Sequence, residues 1–346
     1  MLSIELNERE KNILRYVIQQ FILTAAPVGS SNITKKYNIG ISPATVRNIM
    51  ADLEDNGFIN HPHTSAGRIP TDKGYRFYVD SLMNIEHIKN SDKKYIQQSL
   101  ESDVVEKEEF FRIASKLLSS ITKQLAYVSY PKFESAQLEK LQIVQLSPFR
   151  ILVVISIRQG LVKTITLELS TSAKDSQIDR IQSILNEKLI GLTFKEIRET
   201  FSERFKDIDD EQKPIIRLFV DSIDKIFKEF KTNENILMSG AKNVIRQPEF
   251  EDPERFQSVI ELIEDKDIII HILEKSNDAN GVFISIGEEN QHQKLSDYSF
   301  ISKEYKMGNI SGTMGVVGPK RMDYSKIIAI VDYVAKLLSN VLRTEN

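Results

Sequence analysis

A run of small and hydrogen-bonding side chains at residues 42–48 has the chemistry that contact with DNA requires. Arg47 could bind a guanine edge through two hydrogen bonds, and Asn48 could bind an adenine edge. Ala44 or Thr45 could contact a thymine methyl group, and Ser42 at the start of a helix would suit a phosphate. Exposed polar residues on a helix most often form only a solvated face, so this interpretation depends on the neighbouring elements.

A second group of candidate DNA contacts lies in residues 61–79, with the sequence HPHTSAGRIPTDKGYRFYV. Arg68, next to Gly67, is predicted at the tip of a hairpin, where it could reach a phosphate or the minor groove. Lys73 is a further candidate contact in the same stretch. The alternative for Arg68 is an ordinary exposed arginine.

The other reactive side chains do not indicate catalysis or metal binding. The chain has no cysteine, which excludes disulfides, cysteine zinc sites and thiol nucleophiles. Its five histidines show no spacing of nucleophile, base and orienting group, so an enzyme is not predicted. His61 and His63 form a pair without a third ligand nearby, and backbone or solvent contact is the favoured interpretation. No metal and no cofactor are predicted.

The segment GPKRMDY, residues 318–324, places a glycine and two cations before the last helix. Such residues can cradle a phosphate, but the segment lacks the GxxxxGK[ST] spacing of a P-loop. A structural turn that leads into the helix is therefore predicted.

Length and charge limit the possible classes of protein. The 346 residues are enough for two or three domains, and the formal net charge of −3 argues against a protein that coats nucleic acid through bulk charge. Residues 35–78 nevertheless hold six basic and four acidic side chains, an excess of two positive charges. The N-terminus does not resemble a signal peptide, and no apolar run reaches the length of a membrane span, so a cytoplasmic location is expected.

Helical spacing and capping residues predict how the candidate contacts are positioned. Asn7 and Glu10 form a capping box before an amphipathic helix, and a short helix follows at residues 30–37. Ser42 and Pro43 then begin a third helix that ends at Gly57, followed by a hairpin at residues 58–69. This order of elements is typical of a winged helix-turn-helix.

The rest of the chain is predicted to mix helices and strands. Charged helical pattern covers residues 88–123, and strands are predicted at residues 141–146, 150–157, 161–169, 268–273, 282–286, 299–305 and 311–317. Helices are predicted at residues 176–189 and from Asp323 onward. Residues 202–213 are too charged for a buried strand, which indicates a solvated segment within an insertion. The fold class is α+β with several domains.

Two long stretches of the sequence resemble the HrcA family of heat-inducible repressors. Residues 27–80, PVGSSNITKKYNIGISPATVRNIMADLEDNGFINHPHTSAGRIPTDKGYRFYVD, are similar to its DNA-binding domain. Residues 299–338, and particularly GVVGPKRMDY, are similar to its C-terminal signature. The segments IGLTFKEIR (residues 190–198) and QPEFED (residues 247–252) also fit.

The resemblance implies a domain organisation and a function. It implies a winged helix-turn-helix at residues 1–83, a helical linker at 84–124, a GAF-like domain at 125–186 and 250–346, and an inserted dimerising domain at 187–249. It also implies a homodimer that represses chaperone operons at an inverted-repeat operator of double-stranded DNA, with the GroEL chaperonin promoting the active repressor. The alternative is a winged-helix regulator whose GAF-like domain senses a metabolite.

Overall fold

The computed structural model describes residues 5–62, 67–101, 107–131, 133–158, 160–169, 172, 174–206, 236–265, 269–270 and 281–343. Its elements form a mixed α+β structure with three separate β-sheets. The helices are α1 (Glu8–Thr24), α2 (Ser30–Tyr37), α3 (Pro43–Asp55), α4 (Asp72–Phe77), α5 (Asn90–Leu100), α6 (Lys107–Thr122), α7 (Asp175–Leu189), α8 (Phe194–Arg204), α9 (Ala241–Ile245), α10 (Pro253–Glu264) and α11 (Tyr324–Arg343). The strands are β1 (Ile59–Asn60), β2 (Ile69–Pro70), β3 (Leu125–Ser129), β4 (Leu138–Ser147), β5 (Arg150–Ile157), β6 (Val162–Glu168), β7 (Ile236–Ser239), β8 (Val282–Ile286), β9 (Tyr298–Met307) and β10 (Ile310–Pro319).

Local capping signals begin the helices of the N-terminal unit, which we define as residues 5–83. The predicted capping box is confirmed, because Asn7 and Glu10 each accept a hydrogen bond from a backbone amide at the start of α1. The helix ends at Ala25, whose backbone is left-handed with φ 54°. Ser42 caps α3 and Pro43 occupies its first turn, as predicted.

The predicted hairpin is confirmed as a short antiparallel pair. Ile59 pairs with Pro70 and Asn60 pairs with Ile69, while residues 63–66 of the intervening loop lie outside the described residues. Thr71 caps α4 by accepting a hydrogen bond from the backbone of Gly74. The chain then continues as a π-helical turn, Tyr78–Leu82.

The sheet topology divides the rest of the chain differently from the prediction. The strands of the five-stranded sheet lie in the order β7-β3-β10-β9-β8, whereas β4, β5 and β6 pair only among themselves within the described residues. The interruption of the larger sheet therefore begins after β3, not at residue 187, and ends before β7. Alternating apolar residues predict strands equally well in either sheet, so the sequence pattern did not reveal this boundary.

One predicted strand is wrong, and one predicted charged segment lies partly outside the described residues. The strand predicted at residues 268–273 is wrong where it can be checked, because Ile269 and Ile270 are helical. Short apolar runs do not distinguish a strand from a buried helical segment. The charged segment predicted at residues 202–213 begins within α8, but its residues 207–213 lie outside the described residues. The linker predicted at residues 84–124 contains two helices, α5 and α6.

The final helix forms the centre of the larger core. α11 packs across β9 and against α6, and its buried side chains include Ile327, Val331, Val334 and Leu338. The predicted turn at residues 318–324 is confirmed, because β10 ends at Pro319 and α11 begins at Tyr324. No helix in the described part of the chain is both long and apolar enough to cross a lipid bilayer.

Candidate nucleic-acid interface

The N-terminal half of α3 presents the predicted hydrogen-bonding face to solvent. Ala44, Thr45, Arg47 and Asn48 are all exposed, as is the capping residue Ser42. The opposite face holds the helix in place through the buried side chains Val46, Met50 and Leu53. The structure therefore brings these five candidate contacts together on one surface.

The start of α3 is fixed by its cap and by the preceding turn. The Oγ atom of Ser42 accepts a hydrogen bond from the backbone of Thr45 at 3.1 Å and lies 3.0 Å from its hydroxyl oxygen. Asn38 and Gly40 have left-handed backbones between α2 and α3, with φ 45° and 68°. The left-handed turn reverses the chain, so that α2 packs against α3 and leaves the exposed face uncovered.

Arg68 lies where the hairpin loop meets β2, so its predicted position at the tip is wrong. Its backbone exchanges two hydrogen bonds with Val28, at 2.8 and 2.9 Å, on the side away from β1. Its guanidinium Nη2 lies 2.7 Å from Oε2 of Glu54 near the end of α3. Arg68 thus joins three parts of the N-terminal unit and is not on the exposed face of α3.

Lys73 is exposed but is also held within the N-terminal unit. Its Nζ donates a hydrogen bond to the backbone oxygen of Asn56 at 2.7 Å and lies 4.4 Å from the ring centroid of Phe58. Asn56 caps the C-terminus of α3, where a cation is favourable because the carbonyl groups point outward. The structure therefore places Lys73 at the opposite end of α3 from Arg47.

Glu54 links α3 to the hairpin and carries a perturbed acidity. Burial acts to raise the pKa of its carboxyl, but hydrogen bonds and charges from His61 and Arg68 outweigh that effect and hold the pKa below its ordinary value. His61 Nδ1 is hydrogen-bonded to Glu54 Oε1, so this histidine has a structural partner. His63, the other member of the predicted pair, lies outside the described residues. Among the described residues, no three metal-ligating side chains come together.

Contacts between the N-terminal unit and the rest of the chain were missed by sequence reasoning. Asp72 pairs with Lys320 at 2.6 Å, and Arg76 Nε donates to Glu289 at 2.8 Å. The hydrogen bond with Glu289 is the main cause that raises the pKa of Arg76. Arg321 donates to the backbone oxygen of Ile22 at 2.7 Å. In the sequence these contacts are indicated only by the two cations within GPKRMDY, a segment that also forms the predicted turn.

The chain resembles known proteins over its whole length. The family model described as the HrcA protein C terminal domain matches residues 108–328. The heat-inducible transcription repressor HrcA of Chlorobium phaeobacteroides (strain BS1) is 40% identical over 352 residues, covering 99% of this chain and 100% of that protein. The protein of the same name from Prosthecochloris aestuarii (strain DSM 271 / SK 413) is 39% identical over 356 residues, covering 100% of both.

A solved structure is similar in fold. The crystal structure of a hypothetical protein at 2.2 Å resolution has a TM-score of 0.66 and 24% identity, covering 99% of this chain and 100% of that one. At this identity the likeness concerns the fold alone. The family match over residues 108–328 and the full-length relatives at 39–40% identity together show that the chain belongs to the HrcA family.

Proposed function

We propose that this chain is a heat-inducible transcription repressor that binds operator DNA through a winged helix-turn-helix in its N-terminal unit. The observation that carries the proposal is the exposed, hydrogen-bonding N-terminal half of α3, which lies beside a short hairpin. The full-length relatives named heat-inducible transcription repressors support it. The function is that of a DNA-binding protein and not of an enzyme.

In this proposal α3 enters the major groove with its N-terminal residues against the base edges. Arg47 binds a guanine and Asn48 an adenine, while Ala44 and Thr45 contact a thymine methyl group. Ser42 and the first backbone amides of α3 bind a phosphate, because a helix N-terminus attracts an anion.

The remaining sheets would supply the other two parts of a repressor. We assign the five-stranded sheet with α6 and α11 to a GAF-like domain, and the three-stranded sheet with α7 and α8 to an inserted dimerising domain. An inverted-repeat operator needs two copies of α3 related by a two-fold axis, which a homodimer provides.

The outer face of the three-stranded sheet supports the assignment to dimerisation. Strand register places eight uncharged side chains in the middle of this face, and the charged Lys140, Arg150 and Glu168 at its two ends. The uncharged residues are Gln142, Val144, Leu152, Val154, Ser156, Val162, Thr164 and Thr166. Val144 and Val162 remain 42% and 52% exposed in the single chain. An uncharged middle with charged residues at the ends fits an interface, because interface cores are depleted in charged residues and their rims are polar.

The proposed control is by temperature and by the GroEL chaperonin. If the inserted part of the chain holds the dimer, its opening on heating separates the two copies of α3 and lowers operator affinity. A chaperonin that rebinds the opened form restores repression only while it is not occupied by other unfolded proteins. Operator affinity should therefore fall across a heat-shock range and recover with GroEL and ATP. An affinity that falls while the dimer stays intact would contradict this mechanism.

The test of operator binding is footprinting upstream of the chaperonin operon in the organism's own genome. A protected inverted repeat is expected, with two protomers bound. Arg47→Ala should weaken binding by about 1 to 3 kcal/mol and relax base preference at one position in each half-site. Arg9→Ala is the matched control, since it removes an exposed cation from the same unit at α1. Equal, sequence-independent losses from both variants would count against base contact by Arg47.

A second candidate function, regulation by a small metabolite, draws on one observation. A cavity of about 550 Å³ lies between the N-terminal unit and the larger sheet, lined by residues that include Thr71, Lys73, Phe250 and Arg255. This volume is within the range of ligand sites, which often lie between domains. A repeatable hit in a thermal-shift screen of metabolites would favour this function over chaperonin control.

A further inference from the structure

One carboxylate joins the end of α3 to both sides of the hairpin loop. Glu54 Oε1 is hydrogen-bonded to His61, which directly follows β1, and Glu54 Oε2 lies 2.7 Å from the guanidinium of Arg68, which directly precedes β2. The side chains of Glu54 and Arg68 are only 20% and 25% exposed. We call these three residues the Glu54 clasp.

Arg68 is packed into the N-terminal unit and not extended toward solvent. Its Nε atom is buried and has no hydrogen-bond partner among the described residues. A buried donor without a partner is costly, so the other contacts of Arg68 must offset that cost. Those contacts are the ion pair with Glu54 and the backbone bridge to Val28.

Gly67, next to Arg68, shows how closely the end of the hairpin loop packs against the backbone of Pro27 and Val28. A Cβ atom on Gly67 would lie 2.6 Å from the backbone carbon of Val28 and 2.7 Å from that of Pro27. No real side chain tolerates contacts this short with backbone atoms. The return of the hairpin loop therefore lies directly against the segment between α1 and α2.

We propose that Glu54 is a positioning residue that fixes the angle of the hairpin against α3, and that Arg68 acts through this clasp instead of contacting DNA. The proposal rests on the DNA-binding function proposed above and replaces the phosphate or minor-groove role first expected for Arg68. Arginine suits this position, because its guanidinium is always charged and can bind the carboxylate of Glu54 while the backbone of Arg68 is bridged to Val28.

The alternative is that Arg68 binds a phosphate and that Glu54 only masks it in the free protein. The two interpretations predict opposite effects when Glu54 loses its charge. Freeing a phosphate-binding arginine, and removing a negative charge near DNA, would both strengthen binding. Loss of the clasp would instead weaken binding, because the hairpin would no longer be held at its working angle.

The experiment compares Glu54→Gln, Arg68→Lys and the control Asp55→Asn in the full chain. Asp55 is the next residue of α3 and is exposed, so its variant removes the same charge from the same end of the helix without touching the clasp. Affinity and its salt dependence are measured on the inverted-repeat fragment that footprinting defines. Backbone amide exchange at Val28 and Arg68 is measured without DNA.

Glu54→Gln is expected to lower operator affinity by about tenfold, the effect of one lost charge-assisted contact, while Asp55→Asn leaves it unchanged or slightly raised. Arg68→Lys should behave like Glu54→Gln, because lysine keeps the charge but not the planar fork. The salt dependence should stay that of the unmodified chain in both, since no phosphate contact is removed. Exchange at both amides should rise in the clasp variants only.

Tighter binding by Glu54→Gln, or full affinity in Arg68→Lys, would overturn the proposal. So would unchanged exchange at the two amides, which tests the clasp without any DNA. If the unmodified chain binds no operator fragment, the DNA-binding function fails, whereas the exchange data still decide whether Glu54 holds the hairpin. Gly67→Ala forces the hairpin loop away from Val28 without changing the Glu54 clasp. It should likewise lower operator affinity and raise amide exchange at Val28 and Arg68.

Discussion

Replacing Arg321 with methionine is expected to destabilise the protein by about 3 to 5 kcal/mol. The side chain is only 13% exposed and is hydrogen-bonded through all three guanidinium nitrogens. Nε and Nη2 donate to the carboxylate of Glu249, and Nη2 also donates to the side-chain oxygen of Gln247 at 3.1 Å. Nη1 donates to the backbone oxygen of Ile22 at 2.7 Å. Methionine keeps the apolar stem but leaves Glu249 without its cation and two acceptors without a donor.

The size of this loss in stability depends on Glu249, which stays partly buried without its cation after the substitution. Breaking a largely buried ion pair costs about 3 to 5 kcal/mol because the partner charge stays desolvated, whereas an exposed pair on a helix contributes about 0.3 to 0.5 kcal/mol. Lys336→Met is the matched control, because Lys336 pairs with Asp332 across one turn of α11 and is 65% exposed. The change in free energy of unfolding can be measured by urea titration with circular dichroism. A loss of unfolding free energy for Arg321→Met that lies within about 1 kcal/mol of the loss for Lys336→Met would refute the argument, because Arg321 would then contribute no more than an exposed ion pair.

Three more outcomes are expected. Asp72→Asn and Lys320→Met should couple by about 1 kcal/mol in a double-mutant cycle of unfolding, and strict additivity would contradict their ion pair. Because the pKa of Glu54 is lowered from 4.5 in the fold, its ionised carboxyl stabilises the protein above pH 4.5, and this stabilisation is lost as the pH falls further. The difference in free energy of unfolding between the unmodified chain and Glu54→Gln should therefore shrink in acid, and a difference that stays constant with pH would contradict this. Val144→Lys should shift sedimentation toward the monomer, while an unchanged dimer would exclude this sheet face as the interface.

The N-terminal unit was predictable because its signals are local. Helix starts are marked by residues only a few positions apart, Asn7 with Glu10 and Ser42 with Pro43. The structure shows the corresponding capping hydrogen bonds, and α1 and α3 begin where these residues predict. The exposed face of α3 followed from the same helical spacing, because burying Val46, Met50 and Leu53 leaves the other side to solvent. Local pattern alone was therefore enough to group five of the seven candidate contacts.

The remaining features depend on partners that are distant in sequence. Lys320 and Asp72 are 248 positions apart, and no periodicity connects them. Arg68 was expected at a hairpin tip because glycine precedes it, but Gly67 is required there by close approach to the backbone of Val28. A glycine indicates either a turn or a close approach, and only the fold distinguishes the two.

The position of α4 gives the ion pairs a further consequence for operator binding. On one side α4 packs against the start of the hairpin so closely that a Cβ atom on Gly74 would lie 2.1 Å from the backbone oxygen of Phe58. Asp72 and Arg76, also on α4, bind Lys320 and Glu289, which follow β10 and β8 of the five-stranded sheet. In the proposed dimer this link fixes the angle of each α3 relative to the five-stranded sheet. If the N-terminal unit were joined only by a flexible linker, the second α3 would reach its half-site at an effective concentration set by the linker length. Such a repressor would discriminate much less between operators with different half-site spacing.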